Sequence, residues 1–504
     1  MNRIRLSILV SCYLGCLVCH ARTSVADASY DKNMSLRDDY DPISMQIPKI
    51  LLPGHEVDMA YALTTVRNMA MLATECQSLS PESGDNKVVV SVKATEFGQL
   101  EKLLEENDAD TATDIIVSGP IDQSDFRALW NCAAKGNLLV LDLGDARIKD
   151  NTVPDRALFD PIEFELGKWL RIRKIILPDD VVRIGNAAFP CMGLEEINIP
   201  SSLRELGQAV FTYDYWLNCP IDLPEGVEEI KLQTFMDCKR LSYPVRMPSS
   251  MKRIGSFAFS KTPIPEIELN EGLQVIEEYA FQGCCITELR IPDSIVEIES
   301  GAFQNCWELE SVALPNGMEV IPEDLFSYCY GLTKVTFPEC VKVIKDAAFT
   351  SCMKLKDVVF PESLEIIGRE AFEGCAIEMV ALPGSVQRLG CRCFSSNNLH
   401  TVYCKSVTPP ECERIDQYGP FVGAQISEAV LYVPQGSGEN YRNQWEWNIF
   451  KEIVETNEFP TAVSNTFMTD KRADNVIFDL TGRKIENPLP NSIYIKNGKK
   501  RYMH

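Results

Sequence analysis

Residues Leu309–Gly331 read L-E-S-V-A-L-P-N-G-M-E-V-I-P-E-D-L-F-S-Y-C-Y-G. Val312 and Leu314 alternate with Ser311 and Ala313, which is the period of a short strand, and Pro315, lacking an amide donor, stops it. Three and six residues beyond the proline come Met318 and Ile321, and eleven beyond it comes Phe326. The pattern recurs on both sides. Phe189, Phe211, Phe235, Phe259, Phe281, Phe303, Phe326, Phe349, Phe372 and Phe394 follow one another every 22 to 24 residues. A proline stands eleven residues before each, at 178, 200, 224, 248, 292, 315, 338, 361 and 383, with Asn270 taking the place once. All ten units keep both intervening aliphatics.

A unit this short cannot bury its apolar side alone, so it must stack on its neighbours at about 4.8 Å per coil. The small residue that usually precedes the phenylalanine, as at Ala258, Ala280 and Ala302, leaves room for the ring to turn inward. The ten phenylalanines then form one internal ladder. Cysteine stands three residues after the phenylalanine at Cys238, Cys284, Cys306, Cys329, Cys352 and Cys375. Buried thiols at a tight bend are the expectation for these. Bridges between neighbouring coils are the alternative, and zinc is disfavoured because paired CxxC spacing with convergent histidines is missing. The recurrent Ile-Gly at 184–185, 254–255 and 367–368 reads as a turn device of the coil.

Units such as I-P-D-S-I-V-E-I-E-S-G-A-F-Q-N-C from Ile291 and F-P-E-S-L-E-I-I-G-R-E-A-F-E-G-C from Phe360 resemble the BspA-type leucine-rich repeats of bacterial surface proteins. The resemblance covers nearly half the chain. The expected fold class is α/β or mostly β: a leucine-rich-repeat-type right-handed coil of about ten 22–24 residue repeats, with N- and C-terminal caps and a small C-terminal β module.

The expected domain order starts with a signal peptide over 1–28, where Arg3 and Arg5 precede an apolar run from Leu6 to Val18 that is short for a membrane span. Leu9-Val10-Ser11-Cys12 resembles a lipobox, which raises a possible lipid anchor. Residues 29–85 read as linker or a partly helical segment, and 86–171 as an α/β cap with strand and helix alternating. The solenoid spans 172–398. A closing cap over 399–455 carries Tyr441, Trp445 and Phe450, and 456–504 reads as short strands with a Thr-Gly turn and an Asn-Gly hairpin. That tail resembles a shortened type IX sorting domain, although a bland accessory hairpin fits equally.

A net charge of -23 excludes a sequence-independent grip on nucleic acid or anionic lipid. With only four histidines, no metal motif or His-based triad can be assembled, and no phosphate-cradling glycine loop appears, so no catalytic residue, metal or cofactor is expected. The 72 carboxylates recur on outward positions and read as solubilising.

The outward positions of the strand before each proline are the candidate ligand-facing residues: Arg173, Lys174, Glu195, Glu196, Asp222, Tyr243, Arg246, Glu266, Glu268, Glu288, Arg290, Glu310, Lys334, Lys356, Asp357 and Glu378. The chain is expected to be exported, at the cell surface, associated with the outer membrane or secreted, with no transmembrane span once mature. Its expected role is non-enzymatic binding or adhesion to an extracellular protein. An accessory module of an envelope assembly is the runner-up, ahead of a hydrolase with an N-terminal catalytic domain.

Overall fold

Strands of two to four residues cannot hold themselves, and in the computed structural model the strands of the array pair in parallel with those of adjacent coils. The structure describes residues 87–165, 169–423 and 426–460, together with the backbone of four short strands in the tail. The expected signal peptide and the segment 29–85 lie outside the described residues. The chain divides into two compact units, Met1–Trp307 and Glu308–His504.

The first unit begins with parallel β-α segments: β1 (Val89–Lys93), α1 (Leu100–Glu106), β2 (Asp114–Ile121), α2 (Gln123–Ala133) and β3 (Val140–Ile148). Asp125, almost fully buried, ties them together by accepting the amides of Gly98 (2.8 Å), Leu100 (2.9 Å) and Asp122 (2.9 Å). Its carboxylate therefore caps the start of α1 while closing the capping box of α2. After β4 (Thr152–Val153) the repeats contribute β5 (Lys174–Ile176), β6 (Arg183–Ile184), β7 (Glu196–Ile197) and β8 (Glu205–Leu206). One sheet runs β1-β2-β3-β5-β7, so the cap and the first coils share their strand column; a second column runs β4-β6-β8. The cap thus covers the open edge of the array by continuing its hydrogen bonding.

The ten phenylalanines are fully buried. In the first unit their rings stack with centroids 6.3, 5.3, 5.2, 5.4 and 5.3 Å apart from Phe189 to Phe303. In the second unit Phe326, Phe349, Phe372 and Phe394 follow at 5.6, 5.2 and 5.7 Å.

Two backbone reversals frame each ring. The residues two before and two after the phenylalanine both have positive φ, for example Gln233 (57°) and Asp237 (59°) around Phe235, or Ala347 (54°) and Ser351 (60°) around Phe349. A non-glycine residue there costs about 1–2 kcal/mol. That cost is offset by three amides per corner that reach the next coil: Gln233 to Ser256, Phe235 to Ala258 and Asp237 to Ser260, at 3.0, 2.8 and 2.9 Å.

The coil geometry extends past both ends of 172–398. Leu158 donates its amide to Ala188 at 2.9 Å, the bond that Phe189 makes to Val210, and Arg156 has the positive φ of 57° two residues earlier. At the other end Phe421 stacks on Phe394 at 5.9 Å. Trp447 and Phe450 then close edge-on against Phe421, at 5.7 and 5.5 Å, and Tyr441 donates to the Ser406 carbonyl at 2.7 Å. The sequence reading named Trp445 in this closing module; it is half-buried under Arg414, and Trp447 is the fully buried plug.

The Ile-Gly turn has a cause other than the one expected. A Cβ on Gly185 would stand 2.4 Å from the Asp155 amide nitrogen, and one on Gly255 2.8 Å from the Lys231 carbonyl carbon, so what excludes side chains there is close approach of neighbouring coils. In the tail, Ile493–Lys496 and Lys499–Tyr502 pair antiparallel across Asn497-Gly498, as expected for the hairpin.

The cysteine positions are buried. Cys284 and Cys306 donate to the carbonyl oxygens of Phe259 and Phe281 at 3.3 and 3.2 Å, and Cys352 and Cys375 to Phe326 and Phe349 at 3.3 Å. Burial pushes the Cys306 thiol up to about 12, so it stays protonated and unreactive in the folded chain. A thiol reagent at mildly alkaline pH is expected to modify Cys306 only on unfolding, as read by mass spectrometry after timed labelling; modification of the native chain at the rate of an exposed thiol would contradict this. Phe281→Ala, which opens a hole inside the ladder, is expected to cost about 3–5 kcal/mol in urea unfolding, and Phe421→Ala a similar amount.

Candidate ligand-binding surface

The strand before each proline turns alternate side chains inward, and the outward ones form the surface expected to meet a ligand. The sixteen sequence-predicted residues all reach this surface; Arg173 and Lys174 are half-buried and the others are exposed. They differ in whether the protein already satisfies them.

In the first unit the early coils pair with one another. Arg173 meets Glu195 at 3.7 Å, Lys174 meets Glu196 at 2.8 Å, and Asp222 meets Arg246 at 3.7 Å. Further along, Tyr243, Glu266, Glu268, Glu288 and Arg290 make no side-chain hydrogen bond or ion pair among the described residues. In the second unit the same holds for Glu310, Lys334, Lys356, Asp357 and Glu378. An exposed pair contributes little to stability, so the paired residues are not a strong structural device; they are charges already partly neutralised towards a partner.

Between β7 and β9 (Ile221–Asp222) the strand column breaks, and pairing resumes between β9 and β11 (Val245–Arg246), with β10 (Glu229–Ile230) in the second column. Beside this break lies a shallow hollow of about 460 Å³ lined by Arg173, Lys174, Glu195, Glu196, Asn218, Cys219 and Pro220.

The second column carries charges that the sequence reading did not single out. Arg183 bridges Asp155 (2.9 Å) and Glu205 (3.4 Å), and Lys231 meets Glu205 at 2.6 Å. In the second unit Glu413 accepts both nitrogens of Arg369, at 2.9 and 2.6 Å, along with Arg388 at 3.2 Å and the Cys391 amide at 3.2 Å. Arg369 above all holds the Glu413 carboxyl at about 2. These groups serve the coil-to-coil contact. No cluster of three or more His, Cys, Asp or Glu residues that could hold a metal occurs among the described residues, and no helix there is long and apolar enough to cross a membrane.

The profile of the family described as "BspA type Leucine rich repeat region" matches in six copies over 165–286, 241–350 and 319–419, together half of the chain. The chain belongs to this family. Solved leucine-rich repeat proteins are similar to it. A leucine-rich repeat protein from Bacteroides ovatus is 26% identical, with 57% of this chain and 71% of that one covered and a TM-score of 0.41. One from T. pallidum is 30% identical, covering 38% of this chain and 83% of its own, with a TM-score of 0.28. A leucine rich cell surface protein from Faecalibacterium prausnitzii is 18% identical, with 61% and 83% covered and a TM-score of 0.37. No curated protein matches the chain.

Because the folded-state value of Glu413 is depressed, its stabilising contribution is present above the ordinary glutamate range and is lost as pH falls through about 2. Glu413→Gln is therefore expected to lower the unfolding midpoint at neutral pH, with the gap to the parent closing between about pH 4.5 and 2. Melting curves across that range check it.

Proposed function

We propose that this BspA-type chain is an exported, non-enzymatic binding protein of the cell surface or surroundings, engaging a protein partner through its outward strand column. The observation that carries the reading is the uneven satisfaction of that column. The charges of the second column are largely consumed between coils, while Glu266, Glu268, Glu288 and Arg290 in the first unit and Lys334, Lys356 and Asp357 in the second stand exposed without ion-pair partners among the described residues. Unpaired charge at the outward positions of successive coils sets register and encounter rate with a complementary surface. Tyr243, 42% exposed in the first unit, supplies an amphipathic ring of the kind that anchors protein interfaces.

The apolar segment after Arg3 and Arg5 supports export, and the cell-surface name of one similar repeat protein agrees with it. Adhesion is the role proposed for the column.

The chain lacking residues 1–28, immobilised and exposed to host extracellular material, is expected to retain a specific protein. Reversing Glu266, Glu268 and Glu288 to lysine should weaken retention of an acidophilic partner about tenfold or more, while Glu228→Lys on the second column should leave it within about twofold. Retention of no specific protein, with envelope components captured instead, would replace adhesion with the assembly role.

A further inference from the structure

From Phe235 onward, the third residue after a ladder phenylalanine has a recurring task along the array. It donates its side-chain hydrogen to the carbonyl oxygen of the phenylalanine one coil earlier. In the first unit Cys238 donates to Phe211 (3.2 Å), Thr262 to Phe235 (2.5 Å) and Cys284 to Phe259 (3.3 Å). In the second, Cys375 donates to Phe349 (3.3 Å) and Asn397 to Phe372 (2.8 Å). Thiol, hydroxyl and amide are interchangeable there because each carries a hydrogen.

Asp214 holds this position in the coil after Phe189 and is fully buried. Its Oδ1 accepts the Met192 amide at 2.9 Å, just as the Thr262 hydroxyl accepts the Cys238 amide at 3.2 Å. In the Thr262 arrangement the hydroxyl then serves the Phe235 carbonyl, whose own turn amide has been diverted. The Met192 amide is diverted in the same way, and the Phe189 carbonyl oxygen receives no backbone amide among the described residues. The Oδ2 of Asp214 likewise has no donor. Two acceptors cannot bond to each other; a proton on Oδ2 would let Asp214 serve the Phe189 carbonyl as the Thr262 hydroxyl serves that of Phe235.

We propose that Asp214 is held as the neutral carboxylic acid, donating from Oδ2 to the Phe189 carbonyl, and that loss of this proton to solvent unlatches residues 213–220, which line the hollow through Asn218, Cys219 and Pro220.

The surroundings agree. Burial pushes the Asp214 carboxyl well above the usual range, opposed only by the Met192 amide, so no cation compensates a charge there. From the following coil the facing titratable group is the Cys238 thiol, itself driven up by burial and neutral, with Asp237 and Lys239 paired to each other beyond it. From the preceding coil the Met192 amide faces it. Arg240, the nearby guanidinium, is committed to the Trp216 ring at 3.5 Å. The aspartate also anchors its own segment: its amide donates to Phe211 and its carbonyl accepts Leu217, both at 3.1 Å, so a displaced carboxylate takes the turn with it.

The test compares the full chain with Asp214→Asn, which keeps the acceptor and carries a permanent donor, as Asn397 does. A raised folded-state value makes the parent most stable below the ordinary aspartate range near about 4, with stability lost as pH rises towards the folded-state value. The unfolding constant of the parent, divided by that of D214N, is therefore expected to rise by up to about tenfold per pH unit in that window. Hydrogen exchange of 213–220, corrected for its intrinsic pH dependence, should accelerate with pH in the parent and stay flat in D214N. A ratio independent of pH between about 4 and 9, or parent exchange in 213–220 that does not change with pH, overturns the proposal. Should D214N fail to fold, Asp214→Cys places at this rung the residue found at six others, with the same readouts and the same deciding outcomes.

Discussion

Within each unit, the amide of a corner phenylalanine reaches the carbonyl that precedes the next one, and the two rings stack above that bond. Everything else in a coil serves this contact. The flanking residues accept positive φ so that three amides, rather than one, can point along the array. The glycine after the second strand lets backbones meet, and the side chain three residues on returns a hydrogen to the carbonyl left behind. A single coil gains none of these bonds, which is why the fold exists only as a stack and why its ends need covers. In the first unit the open edge is extended by true β-α strands, and in the second the last coil is plugged by Trp447, Phe450 and Tyr441.

The ladder was legible because a fixed period of phenylalanine with proline eleven residues earlier is visible without any structure. Its two extra rungs were not. Leu158 has Arg147 where the proline should be, so neither marker survives there. Phe421 does have Pro410 eleven residues before it, but it follows Phe394 by 27 residues, outside the period. The positive-φ positions left no trace at all, since Ala, Gln, Phe, Glu and Arg occupy them as readily as glycine. Backbone conformation there is imposed by the neighbouring coil rather than by local propensity.

The residues expected to face outward from strand alternation are exposed or half-buried, because a period of two decides which face a residue takes. Which of them remain available was not readable. Pairing such as Lys174 with Glu196 depends on stacking register, and so does the place where the column breaks after β7. The surface has there a position, the hollow beside Asn218, Cys219 and Pro220, that no repeat unit contains by itself.

Burial of the cysteine rungs has a bearing on how such a chain comes to be folded. In an oxidising compartment an extended chain presents the thiols from Cys284 to Cys375 at intervals of 22 or 23 residues, close enough in sequence to find wrong partners. Once a coil is laid on its neighbour, each thiol is withdrawn behind the phenylalanine it supports. Stacking and oxidation are then competing reactions, and an array that adds coils from an already formed edge keeps the exposed set of thiols small at every moment. The N-terminal cap, with its helices and its shared sheet, provides such an edge before the first phenylalanine rung is reached.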